Sequence, residues 1–177
     1  MMVVTGMPGA GKDEFIKVAN ALGIRDVHMG NSVRKFAEQS GVVSNDNGIG
    51  KFATDERNRY GMDIWAKRTA ANIEDPVNTI VDGLRNYEEL EFFKNEYKDL
   101  KVIAIFANRD NRLTRILKRG REDDIRNMSE LIRRDERELS WGIGNVIALA
   151  DFMMLNDCSL ENFRSRAEEF IKKKILK

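Results

Sequence analysis

The chain has 177 residues, enough for one domain with an ordinary core, and 42% hydrophobic with 33% charged residues describes a folded globular protein, which excludes disorder. A formal net charge of +1 gives no reason to expect nucleic acid or an anionic membrane as the main partner, so any phosphate specificity must come from local arginines. Cys158 is the single cysteine and cannot close an internal disulfide; His28 is the single histidine and cannot build a zinc site with it alone, so both read as structural. No basic region precedes the first apolar stretch, Lys12 interrupts it, and no apolar run approaches membrane-spanning length, so neither a signal peptide nor a membrane segment is expected and the cytosol is the expected location.

Residues 2 to 13 read as a short apolar strand that runs into Gly6, then Met7, Pro8, Gly9 and Ala10, then Gly11, Lys12 and Asp13. This is the spacing of a phosphate-binding loop. Glycines are needed there because several backbone N–H groups must turn inward on a polyphosphate, at a closeness that side chains would block. Lys12 adds a mobile point charge for the β- and γ-phosphates, and the helix that starts beside it adds its N-terminal dipole. Phe15, Ile16, Val18, Ala19 and Leu22 form that helix's apolar stripe, closed by Gly23.

Ile24 to His28 is a predicted second strand. Asn31 or Ser32 is the expected cap of a helix that carries Val33, Phe36 and Ala37. Gly41 to Gly50 has no periodicity and reads as the most mobile segment, after which helical pattern runs from Lys51 to Tyr60, breaks at Gly61 and resumes until Asp75-Pro76. Val77 to Val81 suits a buried parallel strand, and Asn86 with Glu89 three positions on opens a helix with Leu90, Phe93 and Tyr97. Lys101 to Ala107 is a clear strand, with a helix over Asp110 to Arg119. A polar connection from Arg119 to Asp124 and a charged helix from Ser129 to about Ser140 follow, and Gly142 and Gly144 mark a bend. Phe152 to Leu155 is a last short strand before an amphipathic helix from about Ser159 through Phe163, Ala167, Phe170 and Ile171. This alternation predicts an α/β fold: a five-stranded parallel sheet covered on both faces, with ligands at the edge where the strands end.

Each predicted strand end carries residues suited to phosphate chemistry. Asp82 follows an apolar run, where a carboxylate can hold Mg²⁺ directly or through water; an Asp-Gly turn is the plainer alternative. Arg34 and Arg85 are placed to grip a second phosphate-bearing molecule by bidentate hydrogen bonds. Lys12 and Asp13 lie at the loop itself, and an arginine-rich turn follows the fourth strand.

The segments 6–12, 29–34 (Met-Gly-Asn-Ser-Val-Arg), 81–85 (Val-Asp-Gly-Leu-Arg), 119–124 (Arg-Gly-Arg-Glu-Asp-Asp) and 150–156 (Ala-Asp-Phe-Met-Met-Leu-Asn) together resemble the nucleoside monophosphate kinase group of P-loop proteins, which includes adenylate kinase and dephospho-CoA kinase. The likeness is nearest to a small archaeal family of such kinase-like proteins. It implies a three-layer α/β/α P-loop NTPase fold in a single domain over 1–177, with a helical acceptor-binding insertion over about 29–75 and a short lid over about 119–128. By the same resemblance, residues 6–13 bind ATP with Mg²⁺, Arg34 and Arg85 hold the phosphate of a small acceptor, and Arg119 and Arg121, with Arg133 or Arg134, close over the transferring group. Asn156 would lie near the donor base. Asp13 departs from the pattern, replacing the Ser or Thr whose hydroxyl binds Mg²⁺, and the lid is shorter than in long-lid adenylate kinases. The rival class is an ATP-binding switch or ATPase read by a protein partner, with the segment 41 to 61, including Arg57 and Arg59, as its moving part.

Overall fold

The computed structural model describes residues 1–42, 45–120 and 125–176. Five strands, β1 (Met2–Thr5), β2 (Arg25–His28), β3 (Thr79–Asp82), β4 (Lys101–Phe106) and β5 (Phe152–Leu155), form one all-parallel sheet in the order β2-β3-β1-β4-β5. Nine helices among the described residues connect them: α1 (Lys12–Ala21), α2 (Met29–Gln39), α3 (Asp46–Tyr60), α4 (Ile64–Ala70), α5 (Tyr87–Glu96), α6 (Arg109–Arg119), α7 (Met128–Trp141), α8 (Ile143–Ala148) and α9 (Leu160–Lys174). The layers are those of the P-loop NTPase fold.

Strand side chains alternate between faces, and here both faces are apolar because both are covered. Met2, Val4, Ile80, Ile103 and Ile105 pack with Phe15, Ile16 and Ala19 of α1 and Phe163, Ala167 and Ile171 of α9. Their neighbours Val3, Val81 and Val102 point the other way, into a second core with Met29, Trp65, Ala66, Leu90, Phe93 and Val146. A smaller cluster of Ile116, Ile125 and Leu131 ties α6 to α7.

Several helix starts follow the sequence closely. The side chains of Asn86, Asn108, Asn127 and Ser159 accept hydrogen bonds from the backbone N–H groups of Glu89, Asn111, Glu130 and Asn162. Four expectations need correction. α2 begins at Met29, directly after β2, without a side-chain cap. Burial of Met29 decides that start, and Ser32, inside the helix, accepts a buried hydrogen bond from the Thr69 hydroxyl. The segment expected to be aperiodic up to Gly50 is helical from Asp46, capped by Asn45 Oδ1 on the N–H of Gly48 at 2.7 Å; residues 43 and 44 lie outside the described part. Gly48 and Gly50 each cost a helix about 1 kcal/mol relative to Ala, which hides the pattern, but tertiary contacts of α3 outweigh it. Gly142 does bend the chain, at φ 104°, yet Gly144 lies within α8. β3 starts at Thr79, two residues after Val77, which is exposed. No helix among the described residues is long and apolar enough to cross a membrane.

Candidate active site

β1 delivers the chain into the glycine loop at the centre of the sheet's ligand edge. At Gly6, φ is 146° and a Cβ would sit 2.3 Å from the carbonyl oxygen of Ile105; at Gly11, φ is 108° and a Cβ would sit 2.1 Å from Asn156 Nδ2. Neither position admits a side chain without moving its neighbour. Lys12 Nζ donates to the carbonyl of Gly6 at 2.9 Å, arching over the loop. Burial pushes the Lys12 ammonium below its ordinary value, and the charge of Asp82 partly offsets this.

Side chains far along the chain hold the loop by its carbonyls. Asn156 Nδ2 donates to Ala10 O at 2.8 Å, and Arg115 donates to the Asn156 carbonyl at 2.6 Å. Arg112 donates to Pro8 O at 3.1 Å while forming a two-pronged pair with buried Asp135 at 2.8 and 2.6 Å. Asn156 is 4% exposed and its amide nitrogen is directed at the loop. Sequence reading overlooked Arg112 and Asp135. The available signal was a charged residue one turn from Ile116 on the buried face of a helix, a position that requires a partner.

Asp82 ends β3 beside Val4 of β1 on one side and His28 of β2 on the other. His28 Nδ1 lies 3.1 Å from Asp82 Oδ2 and its Nε2 lies 2.8 Å from Asp26 Oδ2. The hydrogen bond to Asp82, reinforced by the charges of Asp82, Asp26 and Asp13, raises the imidazole's pKa against the opposing effect of burial. For Asp82, burial alone would raise the carboxyl, but Lys12, the His28 hydrogen bond and Arg85 together hold it below the ordinary carboxylate range. Its Oδ1 is buried with no hydrogen-bond partner. An ionised, orphaned carboxylate oxygen beside a phosphate loop fits a divalent cation. Among the described residues no group of three or more His, Cys, Asp or Glu is arranged to hold a metal, so such a cation would rely on phosphate oxygens and water for its remaining ligands.

Arg34 and Arg85 line one pocket, together with Arg57, Arg134, Arg137 and the indole of Trp141. Arg85 pairs with Glu138, donates from Nε to Gly83 O at 3.1 Å, and its backbone N–H donates to Glu89 Oε2 at 2.7 Å. The other oxygen of Glu89 accepts from Arg57 Nη2 at 2.8 Å, in a pair buried on both sides. Asp13 and Arg119 meet across the loop at 3.4 Å. Arg133 is exposed, Arg134 faces the pocket, and Arg121 lies outside the described residues.

The comparisons agree with this architecture. Residues 2–139 match the family model described as an AAA domain. The fold is shared with shikimate kinase from Bacteroides thetaiotaomicron (TM-score 0.60, 14% identity, 97% of each chain) and with dephospho-CoA kinase from Campylobacter jejuni (TM-score 0.57, 19% identity, 99% of this chain and 96% of that one). A UPF0200 protein of Thermoplasma acidophilum is 61% identical over 174 residues, covering 98% of this chain and 96% of its own. The chain therefore belongs to the archaeal UPF0200 family of P-loop kinase-like proteins.

Proposed function

We propose that this protein is an ATP-dependent phosphotransferase that moves the γ-phosphoryl of Mg-ATP to a small phosphorylated acceptor, a nucleotide or nucleotide-like molecule. The observation that carries this reading is the arginine-lined pocket beside the phosphate loop: Arg34 and Arg85, from α2 and the turn after β3, share it. A protein that only bound one nucleotide would need no second phosphate clamp. α3 also weakens the switch reading, since the segment assigned there as a moving part holds Arg57, buried in its pair with Glu89.

In the proposed reaction the loop residues 6–13 hold the triphosphate through backbone N–H groups, and Lys12 exchanges its contact with Gly6 O for phosphate oxygens. Arg34 and Arg85 orient the acceptor, whose oxygen attacks the γ-phosphorus in line while the bond to the β-phosphate oxygen breaks and ADP leaves. Asp82, through Oδ1, and Asp13 would hold Mg²⁺, which when bound neutralises charge on the β- and γ-phosphates. Arg119, now against Asp13, and Arg121 would close over the transferring group from the short lid at about 119–128, with α2 to α4 as the acceptor-binding region. Asn156 supports the donor side by fixing the loop. The direct test is a screen of nucleoside monophosphates, dephospho-CoA and phosphorylated sugars for acceptor-stimulated ADP release. Stimulation by one class is the expected result; ADP release that no acceptor changes would favour the ATPase reading instead.

A further inference from the structure

His28 is the single histidine of the chain, and a carboxylate meets each of its ring nitrogens: Asp82 Oδ2 lies 3.1 Å from Nδ1 and Asp26 Oδ2 lies 2.8 Å from Nε2. The sheet builds this arrangement. In the parallel pairing of β2 with β3, His28 stands opposite Asp82, and Asp26, two residues earlier on β2, shares its face. Asp26 is anchored in turn, since its Oδ1 accepts from Asn20 Nδ2 of α1 at 2.8 Å. A chain of polar contacts therefore runs from α1 through Asp26 and His28 to one oxygen of Asp82. On the other side of Asp82 is β1, with the glycine loop and Lys12 beyond it. The charges of Lys12 and Asp82 act on each other, while Lys12 Nζ donates to Gly6 O at 2.9 Å. An aspartate carboxylate free to rotate is drawn toward such an ammonium, and a closed pair would withdraw the lysine from phosphate and the carboxylate from a cation. His28 opposes that rotation by holding Oδ2, and Oδ1 keeps no hydrogen-bond partner. Carboxylates that ligate metals are commonly oriented in this way, by a hydrogen bond from a neighbouring group.

We propose that His28, braced by Asp26, is a positioning residue for the divalent cation: it fixes the Asp82 carboxylate through Oδ2 so that Oδ1 is left for the metal beside the phosphate loop. This rests on the reading of Asp82 as a cation ligand. In this role the imidazole acts only through Asp82, so its loss weakens metal binding and spares the contacts of the loop with the nucleotide. A histidine that merely tied β2 to β3 would not separate the two.

Mn²⁺ serves as the probe, titrated into the full chain and followed by electron paramagnetic resonance, with the protein in excess over ADP so that the ion meets bound nucleotide. Calorimetry gives the affinity for ADP without metal, and circular dichroism the fold of each variant. Two substitutions divide the ring's roles, because an Asn amide nitrogen falls near the place of Nδ1 and a Gln amide nitrogen near that of Nε2. His28→Gln, which abandons Asp82, should weaken Mn²⁺ binding by about tenfold or more and leave metal-free ADP binding level. His28→Asn keeps the donor to Asp82 and should stay close to the wild-type protein. If His28→Gln does not fold, Asp26→Ala carries the test by removing the brace: weaker Mn²⁺ binding with level ADP binding supports the role, and no change overturns it. Equal Mn²⁺ affinity in His28→Gln, equal losses in both His28 variants, or a matching loss of metal-free ADP binding also overturns it. Asp82→Asn keeps that failure apart from the failure of the underlying reading. If Asp82→Asn leaves Mn²⁺ affinity unchanged, or the wild-type complex takes up no Mn²⁺, Asp82 is not a cation ligand and the role of His28 falls with it.

Discussion

The two halves of the site are held by different physics. Around the glycine loop, Asn156, Arg115 and Arg112 hold backbone: they grip the carbonyls of Pro8 and Ala10 or the carbonyl of the residue that does so, and the loop's shape is fixed before any phosphate arrives. In the arginine-lined pocket, carboxylates join the parts: Glu89 ties the Arg57 guanidinium to the backbone N–H of Arg85, and Glu138 pairs with the Arg85 side chain. A backbone cradle is indifferent to what lies beyond the phosphates, which suits a common donor. A charged lattice is sensitive to every added or missing charge, which suits selection among acceptors.

The sharpest way to break this contrast is to cut the lattice at its most buried link. Glu89→Ala leaves the guanidinium of Arg57 and the N–H of Arg85 uncompensated, and should lower unfolding stability by about 3–5 kcal/mol in denaturant titration. A loss below about 1 kcal/mol would mean that the lattice is not a structural unit. Next in size is Lys12→Ala, whose effect should fall on turnover and spare the fold. A charge that the transition state requires is worth about 10² to 10³ in rate, and a folded variant with unchanged ADP release would remove the loop from the chemistry. Arg85→Ala should then raise the acceptor's apparent KM by roughly tenfold or more with little change in ATP binding. If ATP affinity collapsed and acceptor kinetics stayed level, the two halves would have been assigned the wrong way round.

The smallest expected effect is at Asp13, where the halves meet. Its partly exposed pair with Arg119 contributes about 0.2–1 kcal/mol, and its carboxylate also favours the start of α1. Both contributions are opposed once a triphosphate arrives. Asp13→Thr should therefore keep Mg-ATP affinity at or above the wild-type level at a small cost in apo stability. Calorimetry across a Mg²⁺ series, with Asp13→Asn as the charge-only control, reads this out; a tenfold loss in both variants would make the carboxylate a required ligand.

What could be read from the sequence follows the same division. The phosphate loop is legible because its parts are contiguous and each has a steric reason, as Gly6 and Gly11 illustrate. Arg34 and Arg85 were visible as candidates because each follows a strand. Arg57 was visible only as part of the rival reading's moving segment, and Arg137 and Trp141 were not, since their meeting depends on how α3 packs against α7, and Gly50, which permits it, also masks the helix that carries it. His28 was read as structural; its contact with Asp82 arises from the pairing of β2 with β3, a register that no single stretch encodes. Asn156 was legible only through the resemblance, and its hydrogen bond to the loop, a contact across 146 positions of chain, is one that no single stretch encodes.

The order of the strands has a consequence for how the molecule comes into being. β1 comes before the other four strands in chain order, yet it lies at the middle of the sheet, paired with residues 80–82 on one side and 101–104 on the other. Until roughly the first half of the chain has emerged, Met2, Val3 and Val4 have no strand to bond with, and the glycine loop after them has no wall. Asn156 arrives later still. Such long closures slow folding and leave apolar strand edges exposed while it proceeds. The loop after β1 is thus shaped by a residue that follows the fifth strand, so a chain truncated before β5 lacks the brace that holds its loop.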